Sequence, residues 1–165
     1  MSSPMELRPG ETAVNAPGDF NAGIYFIGRI RTPWTRRAEC PRQGRLDGPV
    51  CRIELFEPWA AALDGLAAYE RIEVLYWLHL SPRTIIRQSP RNDGVAQGAF
   101  SLRTPLRPNP IGTQMAALVG IDGPVLHVRG LDCVDGTPLL DLKPDRCAYT
   151  PLAAPQPGDS HAGDS

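Results

Sequence analysis

Glycine and proline cut this chain into short lengths. Of its 165 residues, 18 are proline and 16 are glycine. A proline inside a helix removes a backbone hydrogen bond and clashes with the preceding turn, so long helices are excluded over most of the sequence. What remains between the breakers are apolar runs of strand length. Residues 50–56 alternate, with Cys51, Ile53 and Leu55 on one face and Arg52 and Glu54 on the other. Residues 72–80 carry apolar side chains at every even position and predict a central strand, with Glu73, Leu75, Trp77 and His79 at the odd positions. The runs 24–32, 95–103, 115–121, 125–131 and 139–143 complete a set of seven strand candidates. Only residues 59–69 look helical, and Asp64-Gly65 breaks them into short pieces. Many short strands at close spacing predict a mostly β fold, a small closed or nearly closed β-barrel with short helical segments. No G-x-G-x-x-G follows a strand and no P-loop is present, which argues against a dinucleotide or P-loop enzyme.

The ends read differently from the body. Residues 1–22 and 151–165 are polar and rich in Gly and Pro, without hydrophobic period, and are expected to be flexible. The barrel is expected over 23–150. His161 sits in the tail with Ser160 and Asp159, but a flexible tail cannot hold a catalytic triad. No apolar run approaches the ~20 residues of a membrane helix, and no signal-peptide core opens the chain. A cytoplasmic protein without membrane attachment is expected. Cys40, Cys51, Cys133 and Cys147 form no C-x-x-C pair, so reduced thiols are expected and no metal site.

The formal net charge is −1, which gives no general attraction for nucleic acid. The type of cation is uneven, because Lys143 is the only lysine among 17 basic residues. Arginine suits planar, bidentate contacts with carboxylate or phosphate. A high-GC genome would give the same bias.

Three segments carry candidate chemistry. In Arg107-Pro108-Asn109-Pro110-Ile111-Gly112 the prolines fix the backbone, and Arg107 and Asn109 are held extended because each precedes one. Such a rigid loop loses little entropy on closing over a ligand. Asp135-Gly136 is a turn signal. It reads equally as a plain hairpin tip or as a turn presenting N–H groups and a carboxylate to a ligand. Pro41-Arg42-Gln43-Gly44, taken alone, reads as a surface loop. His79 ends the most apolar strand, and His127 alternates with Arg129 on an outward face. Asp141 and Lys143 are explained by a surface ion pair, with a ligand contact as the alternative.

In chain order, the motifs Gly28-Arg29-Ile30-Arg31-Thr32-Pro33, Pro41-Arg42-Gln43, Leu63-Asp64-Gly65-Leu66, Tyr76-Trp77-Leu78-His79, the block from Arg103 to Gly112, and Leu131-Asp132-Cys133-Val134-Asp135-Gly136-Thr137-Pro138 continuing to Lys143-Pro144 resemble the TsaA-like family. Its best-known members are the TrmO-type tRNA methyltransferases. The resemblance covers about 23–150 and has the short, single-domain form.

The resemblance implies a small β-barrel that binds S-adenosyl-L-methionine, as a homodimer with the ligand near the subunit interface. It implies methyl transfer to N6 of threonylcarbamoyladenosine beside the anticodon of threonine tRNA. The ligand contacts it implies are Pro41, Arg42, Gln43, His79, Arg103, Asp135, Gly136, Thr137 and Pro138. Arg107, Asn109, Asp132, Asp141 and Lys143 would shape the site. The only candidate catalytic group is His79, and no metal is implied. Transfer to a small molecule, or ligand binding without catalysis, are the alternatives. The chain departs from the family pattern at Glu70-Arg71, where many members have Ser-His. It departs again at Leu80 in place of Gln, at Asp145 in place of Tyr, and across 81–94, which lacks the usual Arg-Pro-Pro-Arg and Gly-Gly pattern.

Overall fold

The computed structural model describes residues 6–145. Cys147 and the tail with His161 lie outside the described residues. Among the described residues there are nine strands: β1 (Thr12–Ala13), β2 (Gly28–Arg31), β3 (Cys51–Leu55), β4 (Arg71–Trp77), β5 (Ile85–Gln88), β6 (Gln97–Gly98), β7 (Ile111–Asp122), β8 (Val125–Arg129) and β9 (Thr137–Pro144). Six of them close an antiparallel barrel in the order β2-β3-β8-β7-β4-β9. β1, β5 and β6 form a small sheet beside it. The fold is mostly β, as expected, and among the described residues its helical parts are short 3-10 turns at Arg37–Glu39, Trp59–Leu63, Leu66–Ala68 and Ala99–Ser101.

Period-two patterning builds the core. Cys51, Ile53 and Leu55 of β3 are buried with Ile72, Val74 and Tyr76 of β4. Ile30, Ala116, Leu126, Val128, Leu131, Cys133 and Leu139 complete the interior. His127 and Arg129 alternate outward with Leu126 and Val128, as read from the sequence. β7 is long enough to pair with β4 along its first half and β8 along its second. A register shift between Leu118 and Gly120 marks the bend, the usual device for turning a strand around a barrel. Gly65, at φ 81°, separates the two 3-10 turns of 59–69.

Several boundaries differ from expectation. Residues 95–103 are not a barrel strand. They hold only the two-residue β6 and the 3-10 turn Ala99–Ser101, with Val95 and Phe100 exposed. β4 already pairs with β7 and β9, so the closed barrel has no edge left to take this run. β2 begins at Gly28 rather than 24. Ile27 still bonds to Leu139 and Phe56, but beyond it β3 turns away into Pro58. β9 begins at Thr137, and β7 takes in Ile111 and Gly112, so the ends of two expected turns are strand. β5 lies inside 81–94, where no strand is predicted. β1 pairs with it through Thr12 and Ala13, so the N-terminal segment touches the fold.

Two of the departures from the family pattern meet in space. Arg71 at the start of β4 and Asp145 after β9 form an ion pair at 2.8 Å. The Asp145 amide also donates to the Arg71 carbonyl. Among the described residues no helix is long and apolar enough to cross a membrane.

Candidate functional site

One end of the barrel is open as a groove of about 1140 Å³, large enough for a nucleoside-sized ligand. The end of β4, the start of β7, the loop after β2 and the loop before β9 form its walls. Two glycines make this packing possible. A Cβ on Gly112 would lie 2.3 Å from the Tyr76 ring, across a direct β4–β7 register pair. A Cβ on Gly44 would overlap the Gly130 carbonyl oxygen. That close approach seats the Pro41-Arg42-Gln43-Gly44 loop against the barrel, with Arg42 and Gln43 at the surface.

The groove gathers Pro41, Arg42, Gln43, His79, Arg103, Arg107, Asp132 and Thr137 from segments far apart in sequence. Arg42, Gln43, His79 and Arg103 are exposed. Among the described residues none of these four makes a side-chain hydrogen bond or ion pair, so their polar groups remain available. Arg37, Arg42, Arg103 and Arg107 face Glu73 and Asp132, so the lining favours an anionic group.

Other predicted residues are committed to the scaffold. Arg107 Nη1 donates to the carbonyls of Ala99 (3.0 Å) and Leu102 (2.6 Å) and lies over the Phe100 ring. It therefore ties the turn ahead of Arg103 to the proline loop. Asn109 does not line the groove. Its Oδ1 accepts from Arg83, which also donates to the Pro108 carbonyl and stacks between Phe20 and Trp77. Asp135 likewise turns away. Its carboxylate takes the Thr32 amide (3.1 Å) and Arg31 Nη1 (3.2 Å), while the Asp135 and Gly136 amides donate to Trp34 and Ile30. The Asp-Gly turn thus caps the end of β2. Pro138 pairs with Arg29, and Asp141 and Lys143 form the surface ion pair at 2.7 Å. From the loop before β9 and the first residue of that strand, the groove receives Asp132, Cys133, Val134 and Thr137 instead.

Tyr76 and Glu73 are groove residues that the sequence offered only as strand positions. The Tyr76 hydroxyl donates to Asp132 Oδ1 at 2.9 Å. Burial, and next the Asp132 carboxylate, push its pKa well above the usual tyrosine value, so it stays a donor. Glu73 accepts from the Thr113 hydroxyl at 2.7 Å. Buried Gln88 fixes the segment leading to Arg107, accepting from Thr104 and donating to the Leu106 carbonyl. Cys40 and Cys133 both reach the groove wall. Burial first, then Asp132, raises the Cys40 thiol, and burial pushes Cys133 up to about 12. Among the described residues no group of three or more His, Cys, Asp or Glu is arranged for a metal ion.

Known proteins share this architecture. The model of the tRNA-methyltransferase O N-terminal domain matches residues 29–149. A Rhizobium radiobacter protein named "Probable S-adenosyl-L-methionine-binding protein VirR" is 56% identical over 147 residues, covering 89% of this chain and 84% of that protein. The tRNA (adenine(37)-N6)-methyltransferase of Escherichia coli is 32% identical over 81% of this chain, which spans 60% of that enzyme. The crystal structure of TrmO from Pseudomonas aeruginosa superposes with a TM-score of 0.63 at 29% identity, over 82% of this chain and 62% of that one. With matches of this extent on the barrel, the chain belongs to the tRNA-methyltransferase O N-terminal domain family.

Proposed function

We propose that the protein is an S-adenosyl-L-methionine-dependent methyltransferase whose acceptor is N6 of threonylcarbamoyladenosine beside the anticodon of tRNA. The observation that carries this reading is the groove. It collects Pro41, Arg42, Gln43, His79, Arg103 and Thr137 in one place and leaves the polar side chains of four of them unpaired. The donor set fits the ligand's chemistry. Arg42 and Arg103 suit a methionine carboxylate, and Asp132, with one oxygen held by Tyr76, suits an ammonium or ribose hydroxyls. Relatives bearing S-adenosyl-L-methionine-binding names support the ligand. The E. coli and mouse tRNA methyltransferases support the acceptor.

When bound, S-adenosyl-L-methionine supplies an electrophilic methyl on a sulfonium. The chain's part is mainly to hold two reactants in line, which is worth roughly 7–11 kcal/mol at best. The arginines fix one end of the donor, and Tyr76 holds Asp132 in a single orientation. A carbamoylated N6 nitrogen sheds a proton on methylation. His79 is the groove residue proposed to receive it.

A homodimer is proposed with the β4–β7 outer face as its contact. Leu75, Ile111, Met115 and Val119 leave this face partly uncovered, and Ile111 and Met115 also line the groove. A second copy there would border the site. A tRNA acceptor places the protein in the cytoplasm.

Transfer of label from methyl-labelled S-adenosyl-L-methionine to tRNA from a strain lacking this gene tests the reading. Labelled tRNA supports it. Label in metabolites alone moves the acceptor to a small molecule. Binding without transfer leaves a non-catalytic ligand-binding module, a reading that fits the relatives named only as S-adenosyl-L-methionine-binding proteins.

A further inference from the structure

A second concavity adjoins the groove through the 132–137 segment. It holds about 440 Å³ and is lined by Arg31, Arg52, His127 and Asp135, among others. The two share one loop, since Asp132, Cys133, Val134 and Thr137 face the groove while Asp135 faces the second hollow.

The hollow belongs to a stripe on the outer faces of β2, β3 and β8. Register places Arg29 beside Glu54, Arg31 beside Arg52, and Arg52 beside His127. Arg29 (2.8 Å) and Arg31 (3.4 Å) both donate to Glu54, whereas Arg52 reaches it only at 3.8 Å. Arg129 lies one outward position beyond His127. Three arginines, Arg29, Arg31 and Arg52, therefore face two carboxylates, Glu54 and Asp135, with Arg129 beside them held on the Gly48 carbonyl, on a chain whose net charge is −1. This face carries a local excess of basic charge, as the groove lining does.

At the other end of the stripe the side chains become aromatic. Arg29 lies over the Phe56 ring at 5.9 Å. Next to it, Tyr25, 75% exposed, meets Trp59 with ring centroids 5.4 Å apart. Exposed aromatics beside arginines on a strand surface are the chemistry that holds single-stranded nucleic acid. The rings stack bases and the guanidinium groups take phosphates. Arginine, rather than lysine, serves both purposes.

We infer that this face is the RNA-docking surface of the protein. Unpaired nucleotides stack at Tyr25 and Trp59, phosphates lie along Arg29, Arg52 and His127, and the strand reaches the groove across the 132–137 loop. The inference rests on the tRNA reading above and assigns the surface that delivers the acceptor.

The test uses the full chain and a fluorescein-labelled anticodon stem-loop of threonine tRNA, with anisotropy titrations at several salt concentrations. Methyl transfer, S-adenosyl-L-methionine binding and size-exclusion elution are followed in parallel. Arg52→Glu is expected to weaken RNA binding on the order of tenfold and to flatten its salt dependence. Tyr25→Ala is expected to weaken it about five- to 150-fold with the salt dependence intact. Both variants should bind the methyl donor like the parent. If the parent methylates tRNA and both variants bind RNA as it does, the surface is wrong and the tRNA reading stands. If the parent binds the donor but neither binds nor methylates RNA, both fall. Variants that elute as monomers where the parent is a dimer would make this face a contact between copies and overturn the inference.

Discussion

The ring of Tyr76 lies against the bare Cα of Gly112, at a direct register pair between β4 and β7. A methyl at position 112 would meet ring carbon Cε2 at 2.3 Å. The ring is buried and its hydroxyl is fixed on Asp132, so it cannot move without breaking that bond.

Gly112→Ala is therefore expected to cost about 1–3 kcal/mol by overpacking and to weaken binding of S-adenosyl-L-methionine. Tyr76→Phe keeps the ring and removes only the donor, so it should cost less, about 0.5–1.5 kcal/mol. Urea unfolding with ligand calorimetry on both variants checks the order. Equal losses would mean that the hydroxyl, not the packing, carries the effect.

Arg103 and Arg107 stand four residues apart and should fail differently. Arg103 is exposed and its guanidinium is unpaired among the described residues. Arg103→Ala should leave stability within about 0.5 kcal/mol and lower donor affinity on the order of tenfold. Arg107 holds two carbonyls, so Arg107→Ala should lose about 1–3 kcal/mol of stability. Thermal melts set against ligand titrations separate the two.

Arg71 and Asp145 depart together from the family pattern and pair with each other. The Asp145 side chain is 5% exposed, whereas Arg71 is 37% exposed. Arg71→His and Asp145→Tyr should each destabilise the protein more than the double substitution does. A coupling of about 0.5–3 kcal/mol in a double-mutant cycle is the expected result. Strict additivity would show the pairing to be incidental.

Glu54 supplies a pH dependence. The hydrogen bond from Arg29 is the main reason its carboxyl lies below the ordinary value of 4.5. A depressed folded-state pKa adds stability above 4.5 that is lost as pH falls through the folded value. Glu54→Gln should therefore be less stable than the parent at neutral pH and lose less on acidification below 4.5. Unfolding curves between pH 3 and 7 give the comparison. The same substitution removes one of the two carboxylates on the arginine face, so it should tighten RNA binding.

The period-two runs made the core legible, because inward positions in a small barrel are apolar whatever the topology. Cys51, Ile53 and Leu55 followed from alternation alone. The 95–103 run has the same composition, and only the closure of β4 between β7 and β9 denies it a place. The site divided along similar lines. Pro41, Arg42, Gln43, His79 and Arg103 line the groove with free side chains. Asp135 could not be placed from its neighbours, because the groups that claim it, Arg31 and Thr32, lie more than 100 residues away. Asn109 is bound by Arg83, whose stacking partner Phe20 comes from the N-terminal segment read as flexible. Tyr76 was legible as core, and its polar tip found its role only when Asp132 arrived beside it.

The two thiols at the groove wall have a chemical consequence. On the proposed reading the groove holds an alkylating sulfonium that its walls have to survive, and thiolate is the softest nucleophile a chain can offer. Burial raises both thiols, Cys40 and Cys133, above the ordinary value of 9.0, Cys133 to about 12, which lowers the share of thiolate a methyl group would meet. On the proposed reading, the two thiols beside the methyl donor stand in their less nucleophilic form.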